Sequence, residues 1–154
     1  MGNIERKPCI LVVDDEDVNT KLLEAYLSPR GYDVICAANG QEALSKIMVN
    51  KVDLLLLDVM MPGPNGFEIT RQLRENENTR LIPIVLITAL KETADRVKGI
   101  EAGCDDFISK PFDKNELLAR VKTLLKLSYY RDMLDEKEKF EKNTLTQLIL
   151  EYDG

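Results

Sequence analysis

The chain has 154 residues, 44% of them hydrophobic and 31% charged, with a formal net charge of −6. That length buries one substantial core and is too short for two ordinary domains, and an acidic balance without a basic cluster argues against direct nucleic-acid binding by this segment. No apolar run is long enough to cross a bilayer and the start "MGNIERKPC" has no signal core, so a cytoplasmic protein with no membrane partner is expected.

Short apolar runs alternate with helical periodicity along the chain. "CILVVDD" (9–15) reads as a strand ending in acids. The next stretch places Val18, Leu22, Leu23 and Tyr26 three and four apart, which predicts an amphipathic helix stopped by Ser28-Pro29 and the turn at Gly31. "DVICAA" (33–38) is a second strand, and Asn39-Gly40 opens a helix with Ala43, Leu44 and Ile47 on one face. "VDLLLLD" (52–58) is a third strand, followed by a Pro/Gly/Asn loop and a helix over 66–76 with Phe67, Ile69 or Thr70, and Leu73 inward. "IPIVLITA" (82–89) is a fourth strand, with a helix after it that ends at Gly103, which reads as a C′ glycine. "DFIS" (106–109) is a fifth strand, and Asp113 caps a fifth helix.

Five strands alternating with five helices predict an α/β fold with a parallel sheet, doubly wound in the flavodoxin-like order 2-1-3-4-5. Strands covered on both faces lose the in/out alternation, which accounts for the four leucines before Asp58. In such a sheet ligands bind beyond the carboxyl ends of the strands, and there the sequence delivers Asp14 and Asp15, Asp58, Thr88 and Lys110. Two carboxylates about 4 Å apart repel by about 4 kcal/mol at an effective dielectric near 20, so the cluster calls for a cation. Hard oxygen donors with room for water and phosphate suit Mg²⁺ or Mn²⁺.

Histidine is absent, which removes Ser-His and Cys-His catalysis, most zinc sites and a phosphohistidine donor role. The three cysteines, Cys9, Cys36 and Cys104, lack CxxC spacing and read as reduced, small buried hydrophobes. The remaining acids, hydroxyl and amine are the parts that phosphoryl transfer needs: a nucleophilic carboxylate, a metal and donors for the phosphoryl oxygens. A haloacid-dehalogenase-type phosphatase would want a second aspartate where Met60 stands. A flavodoxin-like cofactor binder would not place Asp14 and Asp15 against a phosphate.

The motifs "VVDDE" (12–16), "LLLLDVMMPGPNG" (54–66), "ITA" (87–89) and "FISKPF" (107–112), in this order, resemble the receiver domain of two-component response regulators. The resemblance implies Asp58 as phosphoacceptor from a sensor histidine kinase or phosphotransfer protein, and an output through an effector domain or partner protein. It further implies Mg²⁺ held by Asp15 directly, by Asp14 through water, by Asp58 and by the backbone carbonyl of Met60. Lys110 would bond Asp58 and the phosphoryl group, from a cis Lys110-Pro111 bond, and Thr88 and Phe107 would be the moving parts of the switch. Independently of the resemblance, Gly66 reads as a backbone requirement, a loop reversal after the Pro/Gly/Asn stretch. The positions that tune phosphoryl lifetime fall on Met60 and Leu90, both apolar, which implies slow autodephosphorylation. The resemblance implies signalling rather than turnover of a substrate.

An N-terminal arm over 1–7, a receiver over 8–127 and a helical extension over 128–154 are expected. Between 112 and 153 there is no Gly or Pro, and Asp135 with Lys139 and Glu138 with Lys142 are favourable i,i+4 pairs. Tyr130, Met133, Phe140, Thr144 and Gln147 follow a 3-4 rhythm that Lys137 interrupts. Two readings stay open: a solvated end of the last helix, or a signalling linker that forms a phosphorylation-dependent homodimer.

Overall fold

The computed structural model describes residues 6–153. Of the expected N-terminal arm only Arg6 and Lys7 fall within that range, and Gly154 of the expected extension lies outside it. The elements are β1 (Cys9–Val13), α1 (Asp17–Leu27), a 3₁₀ turn (Ser28–Arg30), β2 (Asp33–Ala37), α2 (Gly40–Val49), β3 (Leu54–Asp58), α3 (Gly66–Glu75), β4 (Ile84–Thr88), α4 (Thr93–Ala102), β5 (Asp106–Ser109) and α5 (Lys114–Asp153). All neighbouring strands are parallel, in the order β2-β1-β3-β4-β5. The sheet is the doubly wound one the sequence predicts.

The leucine quartet is shared between two apolar layers. Leu55 and Leu57 join Leu11, Val13 and Leu86 under Ala43, Phe67, Ile69, Leu73 and Ala102 of α2, α3 and α4. Leu54 and Leu56 join Ile10, Val12 and Val85 under Leu23, Leu27, Leu117 and Val121 of α1 and α5. All four leucines are fully buried, each worth about 1.5–3 kcal/mol relative to exposure. Continuous hydrophobicity here is therefore two interleaved period-2 patterns.

Local chemistry starts and stops the helices. Asn39 caps α2 by accepting from the Glu42 N–H, and Asn65 and Glu68 form a reciprocal capping box at the start of α3. Gly103 takes a φ of 106° to end α4, a conformation that favours glycine. The Lys110–Pro111 bond is cis.

Three expectations are corrected. Val18 and Leu22 are exposed, and α1 turns Thr20, Leu23 and Leu27 inward, with Tyr26 half-buried edge-on to Phe112. The cysteines are half-buried rather than buried, because Cys9 opens a strand, Cys36 sits on the edge strand β2 and Cys104 lies in a loop. Burial pushes the Cys104 thiol up to about 11, and the Cys9 and Cys36 thiols also rise above their ordinary range. Third, Gly66 serves close packing rather than a reversal: the positive φ of that loop falls on Gly63, while a Cβ on Gly66 would lie 2.7 Å from the Asp58 carbonyl oxygen.

From Lys114 onward α5 is one helix of 40 residues, a rod of about 60 Å at 1.5 Å per residue. Leu117, Leu118 and Val121 are buried, whereas Leu127, Tyr130, Leu134, Leu145 and Leu148 are exposed. Asp135 and Lys139 pair at 3.2 Å, Glu138 and Lys142 are not among the ion pairs of the described residues, and Arg131 donates to the Leu81 carbonyl at 3.4 Å. Among the described residues no helix is long and apolar enough to cross a membrane.

The contact at Gly66 yields a direct expectation. Gly66→Ala pushes the start of α3 off the end of β3 and costs about 1–3 kcal/mol, read as a lower midpoint in urea unfolding at unchanged slope.

Candidate functional site

Strand register assembles the site. Val13 pairs with Leu57, so the next residues, Asp14 and Asp58, emerge side by side at the carboxyl edge of the sheet. Thr88 pairs with Ser109, and Lys110 continues that ladder by donating its N–H to the Thr88 carbonyl at 2.9 Å. The residues that sequence places at strand ends are thus brought to one mouth.

Asp14 and Asp58 are buried and Asp15 is exposed, and the three carboxylates each offer an oxygen within 4.8 Å of the others. Lys110 Nζ lies between two of them, 3.1 Å from Asp14 Oδ2 and 3.2 Å from Asp58 Oδ1. Asp14 is the more heavily bonded: its Oδ1 accepts from the Glu16 N–H at 2.9 Å, and its Oδ2 accepts from Lys110 and from Asn19 Nδ2 at 3.1 Å. Three acids against one ammonium leave the cluster net negative, and its donors are all hard oxygens. That chemistry fits a divalent cation.

Burial raises the Asp58 carboxyl above the usual range, the Asp14 charge adds to the rise, and Lys110 and the Met60 N–H only partly oppose it. Burial would lower Lys110, but its hydrogen bond to Asp14 and the charge of Asp58 outweigh that and raise it. Lys110 is therefore a charged ammonium, and Asp58 carries its charge reluctantly.

The other expected site residues are Thr88, Met60 and Phe107. Thr88 is buried, and its Oγ1 accepts from the Leu90 N–H at 2.9 Å, with its own proton donated to no group among the described residues. The Met60 side chain is exposed while Leu90 packs against the core. Phe107 is half-buried against α4: a Cβ on Gly99 would come within 2.1 Å of the ring, and the Arg96 guanidinium carbon sits 5.8 Å from the ring centroid. Asn19, Arg96 and the Lys110–Asp14 bond were not anticipated. A helix position close behind an acidic strand end was the available signal for Asn19.

The profile of the family described as "Response regulator receiver domain" matches residues 10–122. The chain belongs to that family. Phosphotransfer from a histidine kinase is the general function of such receivers. This receiver is 46% identical over 129 residues to the response regulator PleD of Caulobacter vibrioides, covering 84% of this chain and 28% of PleD. It is 45% identical over 141 residues to the transcriptional regulatory protein ResD of Bacillus subtilis, covering 92% of this chain and 55% of ResD. The receiver thus spans about half or less of these relatives. Among solved structures, the Francisella response regulator 1452 receiver domain superposes with a TM-score of 0.74 at 32% identity, covering 79% of this chain and 99% of that one. The chemotaxis protein CheY4 of Vibrio cholerae gives 0.74 at 28% identity, covering 77% and 99%.

Because its folded carboxyl lies above the unfolded value, Asp58 contributes stability below the carboxylate range that is lost as pH rises through its folded pKa. In metal-free buffer at neutral pH, Asp58→Asn should therefore raise Tm by about 3 °C, a gain that fades as the pH is lowered through that range. Thermal melts of both proteins across pH check the sign.

Proposed function

We propose that this receiver accepts a phosphoryl group on Asp58 from the phosphohistidine of a sensor histidine kinase or phosphotransfer protein in the cytoplasm. The observation that carries the reading is Lys110 paired with Asp58 at 3.2 Å, beside two further carboxylates, at the mouth of a parallel sheet. In the transfer an Asp58 oxygen bonds to phosphorus as the donor's N–P bond breaks and the electron pair leaves with the imidazole.

Asp15, Asp58 and the Met60 backbone carbonyl would hold Mg²⁺, or Mn²⁺, directly. Asp14, whose oxygens already accept three hydrogen bonds, suits contact through water. When bound, the cation neutralises charge that develops on the phosphoryl oxygens. Lys110 meets one of those oxygens by leaving the Asp58 carboxylate, and Thr88 meets another with its hydroxyl proton.

Thr88 and Phe107 then carry the change outward, to an effector domain or partner protein. We assign residues 8–127 to the receiver and 128–154 to a helical linker whose exposed apolar residues support a phosphorylation-dependent homodimer. The chain is a signalling receiver, not an enzyme with turnover, and binds neither nucleic acid nor membrane in this reading. Exposed Met60 and half-buried Leu90 offer no polar side chain to orient an attacking water, so the phosphoryl group is lost slowly.

Acetyl phosphate with Mg²⁺ should give one phosphoryl adduct by intact mass, absent in Asp58→Asn and in EDTA. An adduct that persists in Asp58→Asn assigns the acceptor elsewhere. After acetyl phosphate is removed, the adduct should decay over minutes or longer, and decay within seconds would overturn the role given to Met60 and Leu90.

A further inference from the structure

We propose that Asn19, in the first turn of α1, is a positioning residue of this site, acting through Asp14 to keep Lys110 shared with Asp58. The proposal rests on the reading of Asp58 given above. A carboxylate only accepts hydrogen bonds, so it is the amide nitrogen of Asn19 that faces Asp14 Oδ2, at 3.1 Å. Lys110 Nζ reaches the same oxygen at 3.1 Å and Asp58 Oδ1 at 3.2 Å. Its position between the two acids is close to balanced.

An ammonium held between two carboxylates is drawn to the one less satisfied by other donors. Asp14 is 5% exposed, so water does little for it, and the Glu16 N–H and the Asn19 amide supply its other bonds. Without Asn19, Oδ2 keeps Lys110 as its one remaining donor among the described residues. The ammonium then moves towards Asp14 and away from the oxygen that must receive the phosphoryl group.

The residue type matters as much as the contact. A lysine or arginine at position 19 would hold Asp14 equally well, yet would add a second positive charge to a cluster of three acids and one ammonium and weaken its hold on a cation. An amide fixes the carboxylate and leaves its charge in place. Buried Thr20 and Leu23 lock the helix face, so half-buried Asn19 is presented to Asp14 without further ordering.

The test uses the full chain with Asn19→Leu, which keeps the size and removes the donor, and Asn19→Gln, which restores one. Thermal melting reports the fold, electron paramagnetic resonance of free Mn²⁺ gives the metal dissociation constant, and acetyl phosphate at saturating Mg²⁺ gives the rate. Asn19→Leu should melt like the wild type, bind Mn²⁺ about tenfold more weakly and be phosphorylated about tenfold more slowly, the usual scale for losing a partner behind a metal-site ligand. Asn19→Gln should recover most of both losses. A well-folded Asn19→Leu with unchanged Mn²⁺ affinity and unchanged rate overturns the proposal, as does tighter Mn²⁺ binding. If Asn19→Leu does not fold, Asn19→Ala carries the same expectations. If the wild type itself takes up no phosphoryl group, the reading of Asp58 fails, and the Mn²⁺ arm still decides the role of Asn19.

Discussion

The mouth of this sheet is organised around one ammonium. Lys110 bridges Asp14 and Asp58, two buried carboxylates that parallel register forces to emerge side by side. Without a cation between them, acids at that separation would repel by several kcal/mol. With it, the site still carries excess negative charge and still holds Asp58 above its ordinary pKa. Part of the stability of two well-packed apolar layers is thus offset at the site, a pattern expected where function and stability compete.

Much of this was legible in the chain because the relevant signals are local. Strand ends are marked by a change from apolar to polar residues, and each change here delivers a group with chemistry: Asp14, Asp58, Thr88, Lys110. Parallel topology then does the rest, since carboxyl ends of neighbouring parallel strands share one edge. The period-2 logic is visible only afterwards. Asp14, Asp58 and Lys110 each follow by two a residue of the layer under α1 and α5, namely Val12, Leu56 and Ile108. That shared parity explains why one lysine can reach both acids.

What escaped the sequence depends on which side of an element faces its neighbour. For α1, two rhythms of three and four compete; the one through Thr20, Leu23 and Leu27 wins, and Val18 and Leu22 are left exposed beside the acidic loop. The same rotation that exposes Val18 turns Asn19 towards Asp14, so the error in the apolar face and the omission of Asn19 have one cause. The reason for glycine at position 66, and the part played by Gly99, were invisible for a related reason. Each is a glycine because another group occupies the space of its Cβ, a carbonyl oxygen at one and the Phe107 ring at the other, and neither neighbour is near in sequence.

Gly99 also bears on how an event at Asp58 could leave the mouth. Thr88 ends β4, its hydroxyl accepts from the Leu90 N–H, and residues 89–92 lead directly into α4. Phe107 stands on the adjacent strand β5, opposite Leu86, with its ring in the gap that Gly99 leaves in α4 and under Arg96. A displacement of Thr88 towards a phosphoryl group draws on the loop that starts α4, and α4 cannot shift without changing the floor and the cover of the Phe107 ring. On the proposed reading the two residues would be coupled through one helix rather than through each other. The element with two packings would then be α4 on β4 and β5, and Arg96, exposed on the Phe107 ring face, would be a contact that such a shift disturbs.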